Sequence, residues 1–461
     1  MSETELIPPT PEGPIAADQE PEGDIAGVLG LVGLVGALVA LGLFGGWPIL
    51  AVVVSLIVMI FMHELGHYIT AKRAGMKVTE FFIGFGPRIW SFQRGETEYG
   101  VKAIPAGAYV RIIGMNSLEE VDPADESRTY RQKSYPRRMS VAVAGSAMHF
   151  LMALVLAFVS LLAFGAITDN SARNWTVDEL STPADIEVQY PNAQFDESFQ
   201  QLLDDGETPS TVAGLEPGDR IVSAGGVEFA DYTDFREYVR AHPGESVTLV
   251  IERGDETIEA TLPIGSVGVG ESATGVIGLA AEEPRERLGV LPAARGSVEE
   301  VGTLMTDSVS AIGHFFTPSG LSSFADAVFS PAEDEEPASS GSTAASSSSS
   351  DEEGRIISIV GAARLGAQAT DANGLVALFQ IMIVLNVFIG LFNLIPLLPF
   401  DGGHVAIGTY ERIREIGHPG RRYQANLTRM LPVAYAVVLF MVTIGTMALY
   451  ADIANPINFP G

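Results

Sequence analysis

The sequence contains no cysteine and little positive charge. With zero Cys among 461 residues, disulfides, thiolate zinc sites, iron–sulfur clusters and cysteine nucleophiles are all excluded. Asp and Glu number 57 against 27 Lys and Arg, which gives a formal net charge of −30, and no basic stripe offsets this excess. Binding to nucleic acid, which needs a basic surface, is therefore not expected.

Charged residues of either sign are also few, and they are separated from the apolar residues along the chain. Only 18% of the residues are charged and 47% are hydrophobic, so the mean hydropathy is +0.25 in spite of the acidic excess. One ordinary soluble domain is excluded, because an acidic soluble protein usually has a negative mean hydropathy.

Five segments are apolar enough to cross a bilayer, whose hydrocarbon core takes about 20 apolar residues of helix. They are residues 25–45, 47–62, 140–168, 374–400 and 430–450. The first two are joined by the sequence GGWP, which predicts a tight turn. The sequence therefore predicts a polytopic α-helical membrane protein with five or six transmembrane helices.

Positive charge is concentrated in two loops, and this predicts the orientation. Residues 72–138 hold 12 Lys and Arg and residues 402–430 hold 5, whereas residues 167–372 hold 10 against 37 Asp and Glu. By the positive-inside rule, the two basic loops and the N-terminus are cytoplasmic, and the acidic region and the C-terminus are extracytoplasmic. The acidic excess with only four Lys further suggests a halophilic protein, adapted to high salt.

Composition divides the chain into six regions. These are a disordered acidic N-terminus (1–24), the first part of a membrane core (25–166), an extracytoplasmic region (167–295), an amphipathic helical segment (296–330), a low-complexity Ser and acidic linker (331–354) and the second part of the membrane core (355–461). Apolar residues recur at helical spacing over 296–316, which fits either a helix at the membrane surface or a helix packed on a soluble domain.

A metal-binding motif follows sixteen uncharged residues in the second apolar segment. His63, Glu64 and His67 belong to the sequence HELGH, and residues four apart lie on one face of a helix. Both imidazoles can therefore bind one metal ion, and Glu64 can take a proton from water. A charge at this depth costs roughly 2.5–3.5 kcal/mol, which favours a functional role. The alternatives are a chance motif and a site just past the membrane face, near Lys72.

Two imidazoles are too few, because a catalytic zinc site takes three protein ligands. The other histidines that could contribute are His149, His242, His314, His404 and His418. The better candidate is Asp401, which follows segment 374–400 at the same predicted membrane face as His67. Pro396 and Pro399 break the helix before it, and irregular backbone at this depth is tolerated only within protein or around a water-filled cavity. The alternative is a loop aspartate that caps the next helix.

Two motifs on separate membrane segments carry a family resemblance. HELGH, together with N-x-x-P-x-x-P-x-D-G-G at residues 393–403, resembles the site-2 protease family of intramembrane zinc metalloproteases. The resemblance covers about residues 48–150 and 355–410. It implies a zinc-dependent endopeptidase with one Zn²⁺ per chain, in which Glu64 is the catalytic base. The three residues that it assigns to the metal are His63, His67 and Asp401.

The same resemblance implies substrates, partners and a location. Asn393 matches a family asparagine that contacts the substrate backbone or the oxyanion. The enzyme is expected to cut transmembrane segments of single-span proteins in regulated intramembrane proteolysis, after an upstream site-1 protease has shortened them outside the membrane. Membrane-anchored transcription regulators and anti-sigma-type factors are the expected substrates. The protein is then a multi-pass protein of the cell membrane, surrounded by the lipid bilayer, with its active site near the cytoplasmic side.

Residues 84–87 and 104–110 (GFGP and IPAGAYV) resemble the membrane-associated β-hairpin region of this family. Alternating side chains favour a strand there, and an open strand edge can hold an extended substrate. The candidate substrate contacts are Pro105, Gly107 and Tyr109. An ordinary cytoplasmic hairpin is the alternative.

A departure from the family pattern occurs in the third apolar segment. The family often has G-P-x-x-N there, whereas this chain has GSAMH at residues 145–149, so His149 replaces the asparagine. His149 is a candidate for hydrogen bonding or substrate contact near the site. A polar packing residue is the alternative.

Residues 209–264 carry the pattern of a small α+β domain. A strand at 220–222, a helix at 231–241 and a hairpin about residues 254–255 follow one another. This order resembles the PDZ domain inserted in site-2 proteases and predicts an extracytoplasmic PDZ-like domain at about 185–266, which would hold peptides by strand addition. A domain that acts only as a spacer is the alternative.

Two other functions fit the sequence less well. A non-catalytic membrane adaptor would bind peptides or substrates through the PDZ-like domain and keep the zinc site as a vestige. The complete set of metal ligands and the presence of Glu64 argue against it. A metalloprotease of a different membrane family would use a Glu, rather than Asp401, as the third ligand.

Overall fold

The computed structural model describes residues 24–115, 119–168, 172–190, 193–268, 273–282, 284–329, 359–416, 423–425 and 429–454. The predicted N-terminal region 1–24 lies outside the described residues except for Asp24, and so does the linker predicted at 331–354. The described chain forms two compact units. One lies within residues 1–149 and 392–439, and the other lies within residues 150–391 and 440–461.

Helices dominate both units. The described helices are α1 (Asp24–Arg73), α2 (Tyr135–Ala142), α3 (Ala144–Ala163), α4 (Pro183–Gln189), α5 (Glu197–Asp204), α6 (Pro209–Val212), α7 (Tyr232–Ala241), α8 (Val290–Phe315), α9 (Pro318–Phe329), α10 (Ile359–Phe392), α11 (Asp401–Ile416) and α12 (Leu431–Ala454). Single 3₁₀ turns occur at Glu126–Arg128 and Tyr130–Gln132.

The strands form one hairpin sheet in the first unit and three small sheets in the second. They are β1 (Val78–Arg94), β2 (Thr97–Ile112), β3 (Thr176–Leu180), β4 (Arg220–Ala224), β5 (Val227–Glu228), β6 (Ser246–Arg253), β7 (Glu256–Pro263), β8 (Gly265–Val267), β9 (Thr274–Val276) and β10 (Leu279–Glu282). β1 pairs with β2, β3 with β10, β8 with β9, and the remaining four strands lie in the order β5–β4–β6–β7.

Helix α1 reverses direction near its middle. The backbone of Gly46 has φ 83° and ψ 163°, which is outside the helical region, and Pro48 follows two residues later. A Cβ on Gly42 would stand 3.7 Å from the Cβ of Leu50, whereas residues eight apart in a straight helix are separated by about 12 Å. The chain therefore doubles back at the turn that the sequence GGWP predicts.

Four of the described helical segments are long and apolar enough to cross a membrane. They are Leu29–Arg73, Ala144–Ala163, Gly374–Phe392 and Leu431–Tyr450. The first includes both arms of α1, and it therefore contains two of the five predicted segments. The third is shorter than predicted, because the chain leaves the helix after Phe392, ahead of the two prolines. By length and composition, the chain is a multi-pass membrane protein.

The hairpin of β1 and β2 packs on the second arm of α1. The two strands are antiparallel, and the first half of β1 has partners on two sides, since Phe82 lies opposite both Tyr109 and Gly100. The ring of Phe81 stacks on that of Tyr68 in α1, with centroids 5.5 Å apart. This contact places the hairpin beside the part of α1 that carries HELGH.

The second unit contains the small α+β domain. The predicted strand at 220–222 is β4, the predicted helix at 231–241 is α7, and the predicted hairpin is the pair β6–β7. The core of this domain reaches beyond the predicted limits of 185–266, because Trp175 and Ile277 are buried within it.

Helix α8 contacts candidate membrane helices within the second unit. Val301 of α8 is buried, and Leu304 and Met305 pack beside it. The cluster that receives them consists of Ala153 and Ala157 of α3 with Ile383 and Val387 of α10. The apolar periodicity predicted this helix, but neither of the two surroundings expected for it included a contact with membrane helices.

A buried ion pair stabilises the α+β domain. The fully buried carboxylate of Asp219 accepts hydrogen bonds from Nε of Arg253 at 2.7 Å and from the backbone N–H of Glu216 at 2.8 Å. Burial disfavours the ionised form, but these bonds outweigh it and hold the pKa of Asp219 below its ordinary value. The stabilisation is therefore complete above the ordinary pKa of about 4 and is lost as the pH falls through the lower pKa of the folded state.

Replacing Asp219 by Asn should lower the free energy of unfolding of this domain by about 1.5–3 kcal/mol at pH 7. The difference should shrink as the pH falls through the lowered pKa of Asp219, because the wild-type carboxylate is then protonated as well. Urea unfolding of the full chain measures it through the fluorescence of Trp175, with Trp47 and Trp90 replaced by Phe. The exposed Asp255→Asn variant is the control, and a loss that is independent of pH would contradict the expectation.

Candidate metal centre

Helices α1 and α11 bring three metal-binding side chains together. The Nε2 atoms of His63 and His67 are 3.2 Å apart. Oδ2 of Asp401 lies 3.1 Å from Nε2 of His67 and 3.4 Å from Nε2 of His63. Among the described residues, these three form the group of His and acidic side chains that could hold a metal ion. The three residues expected to bind the metal thus converge, although Asp401 lies 334 positions from His67.

The surroundings orient the imidazole of His67 towards the other two ligands. Its Nδ1 donates a hydrogen bond to the carbonyl oxygen of Val141 in α2 at 2.8 Å. A neutral His67 therefore carries its hydrogen on Nδ1 and presents the lone pair of Nε2 to Asp401. A lone pair and a carboxylate oxygen at this distance repel each other unless a proton or a metal cation lies between them. Metal-binding histidines typically have such a bond from the other ring nitrogen.

The geometry of the three ligand atoms fits zinc. Zinc binds imidazole nitrogen and carboxylate oxygen at about 2.0–2.2 Å, so two ligands of a tetrahedral site lie about 3.3–3.6 Å apart. The observed separations of 3.1–3.4 Å are close to this spacing. Three protein ligands that leave a fourth position for water are the usual set of a catalytic zinc site.

An irregular loop places Asp401 at the start of α11. The loop comprises residues 393–400, and the N–H of Gly402 donates a hydrogen bond across it to the carbonyl oxygen of Asn393 at 2.8 Å. A Cβ at Gly402 or Gly403 would collide with the backbone of this loop. The two glycines therefore allow the loop to lie against the first turn of α11, which fixes the position of Asp401.

Glu64 lies half-buried beside the three ligands. Its carboxylate is close enough to interact electrostatically with both imidazoles and with Asp401. The backbone N–H of Val110 in β2 is also close enough to interact electrostatically with it. The hairpin therefore lies beside the predicted catalytic base.

The other predicted site residues have different surroundings. His149 is buried in α3, and the centroid of its ring lies 5.0 Å from that of His63. Nδ1 of His63 is buried and forms no hydrogen bond with another described residue. Asn393 is held through its main chain, by the bond to Gly402.

The three predicted substrate contacts all lie on β2. Pro105 is exposed. Gly107 lies against the ring of Phe85. A Cβ at position 107 would be 2.5 Å from the nearest atom of that ring. The hydroxyl of Tyr109 donates a hydrogen bond to Glu80 at 2.5 Å, and its ring stacks on those of Phe82 and Phe85, with centroids 5.8 and 6.2 Å apart.

Two further residues shape the centre without having been singled out from the sequence. A Cβ at Gly145 would stand 2.5 Å from Nε2 of both His63 and His67. The available signal was a glycine inside an apolar segment four residues before His149. The hydrogen bond from His67 to the carbonyl of Val141 could not be predicted from the sequence, because every residue has a backbone carbonyl.

Replacing Gly145 by Ala is expected to displace the imidazoles and to lower zinc affinity at least tenfold, the size of effect seen when the surroundings of metal ligands are disturbed. Zinc content after dialysis against a graded chelator measures the change. Gly36→Ala is the matched control, because no atom of another described residue lies within 4 Å of a Cβ there. Unchanged zinc affinity in Gly145→Ala would contradict the geometry.

A family model and the relatives found by sequence comparison all indicate the same family of proteins. The sequence model of the peptidase family M50 matches residues 51–439, which include all three ligands. The zinc metalloprotease Rip1 of Mycobacterium tuberculosis is 31% identical over 421 residues, which cover 88% of this chain and 96% of the relative. Rip1 of Mycolicibacterium smegmatis is 29% identical over 422 residues, with the same coverage of 88% and 96%.

Proposed function

Because the chain belongs to peptidase family M50, the site-2 proteases, it is a membrane-embedded zinc metalloprotease, and we propose that it cleaves transmembrane segments of single-span proteins. The observation that carries this proposal is the convergence of His63, His67 and Asp401 to within 3.4 Å of one another. These residues would hold one zinc ion per chain. Zinc, when bound, supplies a Lewis acid that activates water at neutral pH and polarises a carbonyl group.

Glu64 is proposed as the general base and acid. A carboxylate beside the attacking water can accept its proton and later return the proton to the leaving amine. The closeness of both imidazoles and of Asp401 supports this role, because it places the Glu64 carboxylate beside the metal ligands. Asn393 is proposed to donate a hydrogen bond to the developing oxyanion, and a donor of this kind is often worth about 2.7–4 kcal/mol.

The strand β2 is proposed to hold the substrate next to Glu64. A peptide bond within a membrane helix is shielded by its own backbone hydrogen bonds, so the substrate must unwind before water can reach it. Pairing with a strand edge replaces the lost bonds. Pro105, Gly107 and Tyr109 would then contact the unwound segment. His149 is proposed as a buried neighbour of the centre that keeps a hydrogen-bonding role.

The arrangement in the membrane is also a proposal. Residues 29–73 span 45 residues, and a straight helix of that length is about 67 Å long, more than twice the hydrocarbon thickness. The reversal at Gly46 therefore supports two crossings, which gives five in total. The distribution of Lys and Arg supports a centre near the cytoplasmic side and an extracytoplasmic acidic region.

The α+β domain is proposed to be PDZ-like and to limit the size of substrates. Its sheet β5–β4–β6–β7 and the helix α7 provide a strand edge at which a peptide can add. An upstream site-1 protease would then remove the external part of a substrate, for example a membrane-anchored transcription regulator or an anti-sigma-type factor. The acidic composition of this region supports function at high salt.

A reconstituted cleavage assay tests the proposed function. The purified full chain is placed in vesicles with a single-span substrate whose external part is either intact or truncated, and the products are mapped by mass spectrometry. We expect cleavage within the transmembrane segment, with the truncated form cut at least about tenfold faster. Cleavage outside the membrane segment would contradict the proposal. Stable zinc binding without cleavage of a panel of single-span substrates would favour the adaptor.

A further inference from the structure

A polar cavity lies where the end of α1 meets the turn of the β1–β2 hairpin. Its volume is about 570 Å³. The residues that line it are Tyr68, Lys72, Arg94, Gly95, Glu96 and Tyr99. None of them belongs to the metal centre, and the proposed cleavage reaction assigns them no role.

The position of this cavity along α1 corresponds to the headgroup level of a bilayer. The apolar span ends at Arg73, so Tyr68 and Lys72 lie in its last two turns, where the hydrocarbon gives way to headgroups. The hairpin exposes aromatic rings beside the cavity, since Trp90 and Phe92 are 39% and 45% exposed. Aromatic side chains are enriched at this level of the membrane.

The aromatic surface is continuous with the wall of the cavity. The ring of Phe92 stacks on that of Tyr99, with centroids 5.3 Å apart and an angle of 18° between the planes. An apolar chain that lies along Trp90 and Phe92 would therefore lead directly to the polar groups of the cavity.

The cavity carries more positive than negative charge. Lys72 and Arg128 both form ion pairs with Glu96, and Arg128 also pairs with Asp125 at 3.9 Å. The guanidinium of Arg94 forms no hydrogen bond or ion pair with another described residue, and it is close enough to Tyr68 to interact electrostatically. The charged residues that line the cavity, Lys72, Arg94 and Glu96, therefore carry a surplus of one positive charge, although the chain as a whole is strongly acidic.

The tyrosine pair adds a hydrogen-bond donor. The hydroxyl oxygens of Tyr68 and Tyr99 are 2.5 Å apart. Only one proton lies between two hydroxyl oxygens, so the second hydroxyl keeps its own proton for another acceptor. Together with the cations, this donor matches the oxygens of a phosphate group, which guanidinium and ammonium groups bind through charge-assisted hydrogen bonds.

We propose that this cavity binds the phosphate of an anionic lipid headgroup, with the acyl chains along Trp90 and Phe92. The lipid would fix the hairpin against the bilayer. Because Val110 of the same hairpin lies close to Glu64, the lipid would also hold the strand edge next to the centre. The binding itself depends only on the location of the chain in a membrane, so it can be tested without any proteolytic activity.

Native mass spectrometry of the full chain tests the proposal. The protein is released from nanodiscs of dioleoylphosphatidylcholine that contain one-fifth dioleoylphosphatidylglycerol, and the lipids that remain bound are counted. We expect selective retention of phosphatidylglycerol and an affinity about fivefold lower in Arg94→Gln, the factor that about 1 kcal/mol per basic residue gives near a membrane. Arg88→Gln is the matched control, because Arg88 is on the same strand and pairs with Glu98 rather than lining the cavity.

Each outcome decides for or against the lipid site. Selective retention that is reduced in Arg94→Gln and unchanged in Arg88→Gln supports it. Equal retention in both variants and the wild type overturns it, and so does an equal loss in both variants, which would indicate general attraction to basic surface. In a further measurement, 10 mM inorganic phosphate is added to the nanodiscs that contain the wild-type protein. If free phosphate displaces the bound lipid, the ligand is a soluble anion and the proposal fails.

Discussion

Replacing Glu64 by Gln is expected to slow cleavage by about 10²–10⁴-fold while zinc stays bound. This is the range that a positioned general base contributes. Gln has nearly the same size as Glu, so it can occupy the same place beside the metal ligands. It cannot accept a proton from water, however, and it leaves His63 and His67 untouched. Single-turnover cleavage of a transmembrane substrate, with zinc per chain measured on the same sample, reports both quantities.

The control for this variant is another glutamate close in the chain. Glu98 lies on β2 and forms an ion pair with Arg88 at 2.8 Å, away from the three ligands. Glu98→Gln should cleave at close to the wild-type rate. Wild-type cleavage in Glu64→Gln would refute the assignment of the base. Loss of zinc from Glu64→Gln would instead mean that Glu64 is needed to assemble the centre.

Replacing Asp401 by Ala is expected to remove zinc and abolish cleavage. Two imidazoles alone leave zinc with fewer protein ligands than a catalytic site uses. The zinc affinity should fall by more than the roughly 10–100-fold that is typical when a residue hydrogen-bonded to a metal ligand is lost. Competition with a chelator of known affinity measures it, and Asp401→Glu, which keeps a carboxylate, should retain more zinc than Asp401→Ala.

The same variant separates this family from a metalloprotease whose third ligand is Glu. Asp255→Ala, at the exposed β6–β7 turn, is the control for the loss of one acidic residue and should bind zinc as the wild type does. If Asp401→Ala keeps its zinc, another side chain completes the centre, and the proposed role of the N-x-x-P-x-x-P-x-D-G-G motif is wrong.

The sequence could predict the parts of the centre that local periodicity determines. His63 and His67 share a helix face because they are four residues apart, and the sequence GGWP predicts the reversal of α1 at Gly46. The partnership with Asp401 could be inferred only from the family pattern, since no local rule relates residues 334 positions apart.

Contacts between distant segments were beyond what the sequence could predict. The periodicity of α8 identifies its apolar face, but not that this face meets α3 and α10. The α+β domain begins earlier than predicted, because β3 pairs with β10, where Leu180 lies opposite Leu279. Such pairing depends on tertiary packing and leaves no local pattern. Gly145 was likewise visible as a glycine in an apolar segment, but its function depends on the helix that lies against it.

The most direct test of the centre is X-ray absorption at the zinc edge, recorded on the purified full chain and on Asp401→Ala. In the wild type we expect one zinc ion with two imidazole nitrogens and one carboxylate oxygen at about 2.0–2.2 Å, and one further oxygen from water. In Asp401→Ala the zinc signal should fall with the lost ligand. A wild-type spectrum that requires three or more imidazoles, or an unchanged spectrum in Asp401→Ala, would contradict a zinc centre built from His63, His67 and Asp401.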